Sequence, residues 1–309
     1  MTSELIEALL RANLAVSAAV MVVLALRSPA ARLFGAQTAY ALWSLVPLAW
    51  AGSLLPARTA APGDSLAAQA PAFDPQWAQA AGVAWLTGVA VALALFGLAQ
   101  LRFWILQRKG RAGPAVAGVF FPRLVLPKDF RSRYTGPEQA LIRAHEAAHL
   151  ERGDLRVNAL MAAFQAVNWF NPLVHVAAAR ARLDQELACD ETVLAARPTA
   201  RRAYAEALLK TQLAACRPPL GCQWLGRGRH PLETRIARLA AAAPAESRRL
   251  GGALTAATLA LTAGVAAWSA QPARPAPEPR VIIVQAPPVM HVLLAGPDAL
   301  PPVVLPPRP

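Results

Sequence analysis

Charge is scarce in this chain. Only 16% of its 309 residues are Asp, Glu, Lys or Arg while 55% are hydrophobic, a balance that argues against an ordinary soluble domain and fits a membrane protein with a soluble part. Cysteine is scarce too. Cys189, Cys216 and Cys222 are odd in number, so a disulfide framework is not expected and free thiols are the default. The pair at 216 and 222 lacks the second pair that a four-cysteine zinc site needs. A basic n-region is missing: Glu4 and Glu7 open the first apolar run, which therefore reads as a retained helix rather than a secretory signal. DNA-reading motifs are missing as well, despite a net charge of +13 and a pI near 11.1. Direct nucleic-acid binding is not expected, and anionic lipid is the simpler partner.

What is present is clustered apolarity. Leu5–Leu26 is apolar apart from Glu7, Arg11 and Asn13, and Tyr40–Leu55, Ala78–Leu101 and Gly251–Ala270 carry no charge. These runs predict four transmembrane helices, at about 5–26, 40–55, 78–106 and 251–270. The second is short and contains Pro47, and the fourth is rich in Ala, Gly and Thr, so each taken alone also reads as a core helix. Trp43, Trp50, Trp77, Trp104 and Trp268 fall near the ends of the runs, as in an interfacial belt. Residues 107–250 hold 23 of the 31 Lys plus Arg and 12 of the 18 Asp plus Glu, so this segment is expected in the cytoplasm by the positive-inside rule. The loop with Arg27 and Arg32 then lies inside and the loop Pro56–Trp77 outside. Four crossings of the cell's inner (cytoplasmic) membrane satisfy this and are expected to leave both termini extracytoplasmic.

Within residues 107–250, Pro114–Pro127 reads as a small strand-turn-strand element. Thr135 and Glu138 form a capping box around Pro137, and Gly153 stops the run, which predicts a helix over 136–152. Leu155–Phe170 is apolar enough to pack under that helix or to graze the membrane. Asn171 and Pro172 start a further helix that runs to about Ala196.

The helix over 136–152 carries His145, Glu146, Ala147, Ala148 and His149. Two histidines on an apolar helix are more often satisfied core residues than ligands. Four residues apart, however, both imidazoles leave one face and can share one Zn²⁺, while Glu146 is placed to act as general base on the attacking water. A third ligand is needed. Glu151 is too close on the same helix, Asp154 follows Gly153, and Glu186 and Asp190 share a face with Arg182 on the later helix. Geometry allows either Glu186 or Asp190, and charge alone does not choose.

The order His145, Glu146, His149, Arg152, Asp154, then Asn171-Pro172-Leu173-Val174, then Asp184, Glu186, Ala188, Cys189, Asp190 resembles the BlaR/MecR-type membrane metallopeptidases. Tyr204-Ala205-Glu206-Ala207-Leu208-Leu209 and Arg235-Ile236-Ala237-Arg238-Leu239 are similar to later segments of that family, and the likeness covers roughly residues 1–270. It implies a mainly α, polytopic membrane protein with four transmembrane helices and a cytoplasmic zincin-like, α-rich peptidase domain carrying a small β element. It also implies one Zn²⁺ per chain held by His145, His149 and Glu186, with Glu146 catalytic and Asp190 supporting. Asp154 is a candidate to orient a ligand histidine, and Arg152, Arg182 and His175 are candidate oxyanion stabilisers. His230 and His291 read as unrelated to the metal.

The role implied is signal transmission by cytoplasmic proteolysis of a winged-helix repressor of the BlaI/MecI kind, often with self-cleavage. A homodimer is an allowed assembly. A non-proteolytic zinc-containing scaffold and a housekeeping membrane protease are the alternatives. One departure stands out. Penicillin-binding sensor domains need a serine with a lysine three residues on, and Lys109, Lys128 and Lys210 satisfy neither that spacing nor an outside location. The 39 residues after Ala270 include 12 Pro, so an extended, polyproline-type tail without a core is expected outside, with Val281–Val284 and Val289–Leu294 as short apolar exceptions.

Overall fold

A computed structural model describes residues 2–56, 75–214, 231–240, 246–271, 280–286, 289–295 and 303–305. The chain divides into two compact units, one of residues 1–55 and 72–270, the other of residues 56–71 and 271–309. The expected outer loop Pro56–Trp77, Cys216, Cys222 and His230 lie largely or wholly outside the described residues.

The first unit is helical. Its helices are α1 (Thr2–Leu33), α2 (Ala36–Ala41), α3 (Leu45–Leu54), α4 (Pro75–Arg108), α5 (Phe130–Arg133), α6 (Gly136–Arg152), α7 (Asp154–Val167), α8 (Pro172–Ala196), α9 (Arg201–Ala214), α10 (Pro231–Leu239) and α11 (Glu246–Ser269). Strands β1 (Ala115–Ala117) and β2 (Arg123–Val125) form an antiparallel pair after α4, with Val116 opposite Leu124.

Among the described residues, three helical stretches are long and apolar enough to cross a membrane: Glu4–Leu33, Gln76–Arg108 and Leu250–Ser269. The stretch predicted as a span at 40–55 is not one unbroken α-helix, because a 3₁₀ turn at Leu42–Ser44 separates α2 from α3. Pro47 accounts for the break: it has no N–H for the Trp43 carbonyl four residues back, and its ring crowds that carbonyl. The path stays helical from Ala36 to Leu54.

This broken helix packs tightly. Val16, Val20 and Val23 of α1, Leu42, Val46 and Ala49 around the break, Val174 and Ala177 of α8, and Ala256 and Ala260 of α11 form one buried cluster. Small residues let α3 and α11 touch backbone to backbone: a Cβ on Gly52 would run into the Gly264 carbonyl, and one on Gly264 would meet the Leu48 carbonyl at 3.2 Å. Gly52→Val is therefore expected to destabilise the protein by about 1–3 kcal/mol through overpacking, read as a lower unfolding temperature in detergent, whereas Gly82→Val, whose added Cβ meets nothing within 4 Å, leaves it unchanged.

α6 forms where the sequence predicts it. Thr135 and Glu138 make the capping box, Pro137 sits in the first turn, and Gly153 closes the helix at φ 70°. Leu141, Val193, Tyr204, Leu208 and Leu239 then join α6, α8, α9 and α10 in a second buried cluster.

In the second unit, β3 (Arg280–Ala286), β4 (Val289–Ala295) and β5 (Val303–Leu305) form an antiparallel sheet in the order β3-β4-β5, with Ile283 opposite Val292 and His291 opposite Val304. β3 and β4 fall on the two apolar runs that the sequence set apart from the polyproline-type tail, Val281–Val284 and Val289–Leu294, and β5 adds a third strand there. The three runs are mostly apolar, rich in Val, Ile and Leu and free of Pro, so their N–H groups are available for a ladder.

Candidate metal centre

The α-helical repeat places His145 and His149 one turn apart on the inner face of α6, and both are buried. Their Nε2 atoms lie 3.2 Å apart. Glu186, from the middle of α8, completes a triangle: its Oε2 is 3.3 Å from His145 Nε2 and its Oε1 is 3.6 Å from His149 Nε2. Zinc bonds of about 2.0–2.2 Å at tetrahedral angles separate neighbouring donors by about 3.3 Å. The three donor spacings fit a single Zn²⁺, which His145, His149 and Glu186 would hold at the wall of a cavity of about 750 Å³ that Glu146 also lines.

Each histidine is held from behind. His149 Nδ1 donates to Asp154 Oδ2 at 2.6 Å. His145 Nδ1 lies 2.8 Å from the Tyr204 hydroxyl, which donates to Asp190 Oδ1 at 2.7 Å. Protons on both Nδ1 atoms satisfy these bonds and leave both Nε2 lone pairs aimed at the shared point. Asp190 thus stands on the Nδ1 side of His145, which removes it from the ligand triangle.

A buried arginine from α10 ties the acids together. Arg235 forks onto Asp190 at 2.7 and 2.8 Å and reaches Glu186 Oε2 at 2.8 Å. Burial works to raise the carboxyl pKa values, but the Arg235 charge and the histidine contacts outweigh it, holding Asp190 down at about 2 and Glu186 well below the ordinary range. Burial also opposes charge on His145, yet Asp190 and Glu186 raise its pKa to about 9. On Glu146, burial dominates over the lowering effect of the two histidines and its pKa is raised.

These shifts carry a pH dependence. Because His145 holds its proton more tightly folded than unfolded, its contribution to the metal-free protein is complete below about pH 6.5 and lost as pH rises through about 9. The unfolding temperature of chelator-treated protein is expected to fall across that window, and zinc-loaded protein to lack this component.

Cys189 also lies near both histidines, within 4.8 Å, but on the wrong side. Its Sγ is 3.3 Å from His149 Nδ1 and takes a 3.0 Å contact from Arg152, and burial pushes its pKa up so that it stays a thiol. Arg152 likewise stands behind His149, bonded to Asp154 at 2.5 Å and the Gln185 carbonyl at 3.0 Å, so it braces Asp154. Arg182 lines the cavity and donates to Gln165. His175 is bonded to Gln165 and the Trp169 carbonyl at the far end of the α7–α8 pair, which removes it as an oxyanion stabiliser.

Arg235 and Tyr204 are the site residues that sequence reasoning missed: both stood inside recognised segments without a role. Their signal was one of two arginines on α10 and the single Tyr of α9, which only contact with buried acids makes legible. Trp43 is a further correction. It is no interfacial anchor but a buried donor to Asp184 at 2.8 Å, beside the Arg27–Asp184 ion pair.

Three apolar membrane-length helices, with a cluster of two histidines and a carboxylate on other helices of the same unit, are the features of a membrane metallopeptidase. The chain matches the family described as BlaR1 peptidase M56 over residues 7–77 and 104–239, and it belongs to that family. It is 36% identical over 81 residues to the regulatory protein BlaR1 of Bacillus licheniformis, a stretch that covers 26% of this chain and 13% of that relative. The methicillin resistance mecR1 proteins of Staphylococcus aureus and Staphylococcus epidermidis are 32% identical over 81 residues, 26% of this chain and 14% of theirs. No solved structure matches.

Proposed function

We propose that the chain is a zinc-dependent metalloendopeptidase of the inner membrane that passes an envelope signal inward by cutting a cytoplasmic winged-helix repressor, itself, or both. The convergence of His145, His149 and Glu186 beside Glu146 carries this reading. When bound, Zn²⁺ supplies Lewis acidity to a scissile carbonyl and lets water ionise near neutral pH. Glu146 takes a proton from the attacking water and delivers it to the leaving nitrogen; its raised pKa suits both halves of that task. Asp154, and Tyr204 with Asp190, hold the histidine tautomers, and Arg235 keeps Glu186 ionised.

Four crossings with a cytoplasmic centre are supported by register. Gly252 of α11 packs against Phe34 and Thr38, and Gly264 packs against Leu48 and Gly52, so the broken helix runs parallel to α11 over the same depth. The end of α1 and the start of α2 reach the metal-bearing domain, through Arg27 to Asp184 and the Ala36 N–H to Glu191. α4 ends in that same domain, so the chain between must cross once more. Bonds from Arg27 and Tyr40 to Asp184 and Asp154 give helix movement a direct route to the ligand helices.

The test is reconstitution of the full-length chain in liposomes with a purified winged-helix repressor. Repressor fragments that disappear on chelation and return with Zn²⁺ are expected. An intact repressor and an intact chain under signalling conditions would replace the reading with that of a scaffold.

A further inference from the structure

The α7–α8 pair does not sit where a cytoplasmic domain would. α8 lies along α1 in constant register: Asn171 donates to Asn13 and Ser17 at 3.0 and 3.1 Å, and Asp184 pairs with Arg27. Asn13 and Ser17 are near the middle of the membrane-length stretch Glu4–Leu33, about 15–20 Å along the axis from Arg27. On the other side, Trp85 of α4 donates to the Val167 carbonyl at 2.8 Å. Trp85 is about 25 Å along α4 from Arg102. Two independent spans thus place the turn between α7 and α8 deep within a hydrocarbon layer about 30 Å thick.

We propose that α7 and the first half of α8 form a re-entrant hairpin that enters the bilayer from the side of the metal centre and turns inside the hydrocarbon. The composition agrees. From Val157 to Ala179 the chain carries no Asp, Glu, Lys or Arg, while Arg156 and Arg180 flank this charge-free stretch on its two sides. Leu160, Phe170 and Val176 are exposed in the protein, which lipid tolerates.

Four carbonyls of the turn find donors within the protein, as hydrocarbon demands of irregular backbone whose polar groups find no water there, while the buried Asn168 Oδ1 accepts no hydrogen bond from the described residues. The Phe164 carbonyl accepts from Asn168, Val167 from Trp85, Asn168 from the Asn171 N–H, and Trp169 from His175. A turn in water would need none of these side-chain donors. One arm of the site cavity, walled by Phe96 and Gly97 of α4 and Ala162 and Ala163 of α7, then lies at membrane depth.

The test is nitroxide labelling of the full-length chain in liposomes, with Cys216 and Cys222 replaced by Ser and the fully buried Cys189 kept. Labels go on Leu160→Cys and Phe170→Cys, both at exposed positions, and on Arg202→Cys as a water-facing reference. Oxygen collision well above that of a water-soluble nickel chelate at 160 and 170, with greater depth at 170, is expected. Nickel-chelate collision at 170 equal to that at 202 would overturn the hairpin. The readout requires no peptidase activity, so it stands or falls apart from the proposed function.

Discussion

Glu146→Gln is expected to lower the rate of peptide cleavage by about 10²- to 10⁴-fold, the contribution of a positioned general base, while leaving the zinc content at one per chain. The amide keeps the size and placement of the side chain on α6 but cannot accept the proton of the attacking water. Glu146 contributes no atom to the His145, His149 and Glu186 triangle, so metal analysis of the purified variant should match wild type. Fragment formation in liposomes reads the rate. Cleavage at the wild-type rate would remove Glu146 from the reaction, and loss of zinc would make it a structural support of the site.

Arg235→Met is expected to cost about 3–5 kcal/mol of stability. Removing one partner of a buried ionic network strands the others, and here two carboxylates, Asp190 and Glu186, would lose the cation that keeps them ionised. Weaker zinc retention follows, because Glu186 would hold a proton more readily at neutral pH. Unfolding temperature and resistance of bound zinc to a chelator are the two measurements. Arg235→Lys should recover only part of the loss, since one ammonium cannot fork onto Asp190 and reach Glu186 at once. Unchanged zinc retention in Arg235→Met would show that Glu186 does not depend on its charge.

The histidine pair and its helix were legible because everything that sets them is local. The capping box at Thr135 and Glu138, the stop at Gly153 and the four-residue spacing all act within one helix. The choice between Glu186 and Asp190 was not legible in spacing or charge, and only the family resemblance implied Glu186. Both sit on one face of α8 and both bond Arg235 of α10; what separates them is Tyr204, which arrives on α9 from 14 residues beyond Asp190 and ties that acid to the Nδ1 side of His145. The break at Leu42–Ser44 had a visible cause in Pro47, but its use did not: only packing shows Trp43 turned inward onto Asp184. In the tail, the two apolar proline-free runs were visible, but their pairing as β3 and β4 was not.

The sequence by itself determined the membrane class, the α6 helix, the His-Glu-His face and the family, since composition and short-range periodicity follow from the geometry of a single helix. Tertiary structure brought Glu186 rather than Asp190 to the histidine Nε2 atoms, decided which side chains hold the histidine tautomers, and set the α7–α8 turn against α1 and α4. Those outcomes depend on which charges are buried together and which polar groups must find partners away from water, and that is settled only when distant helices meet.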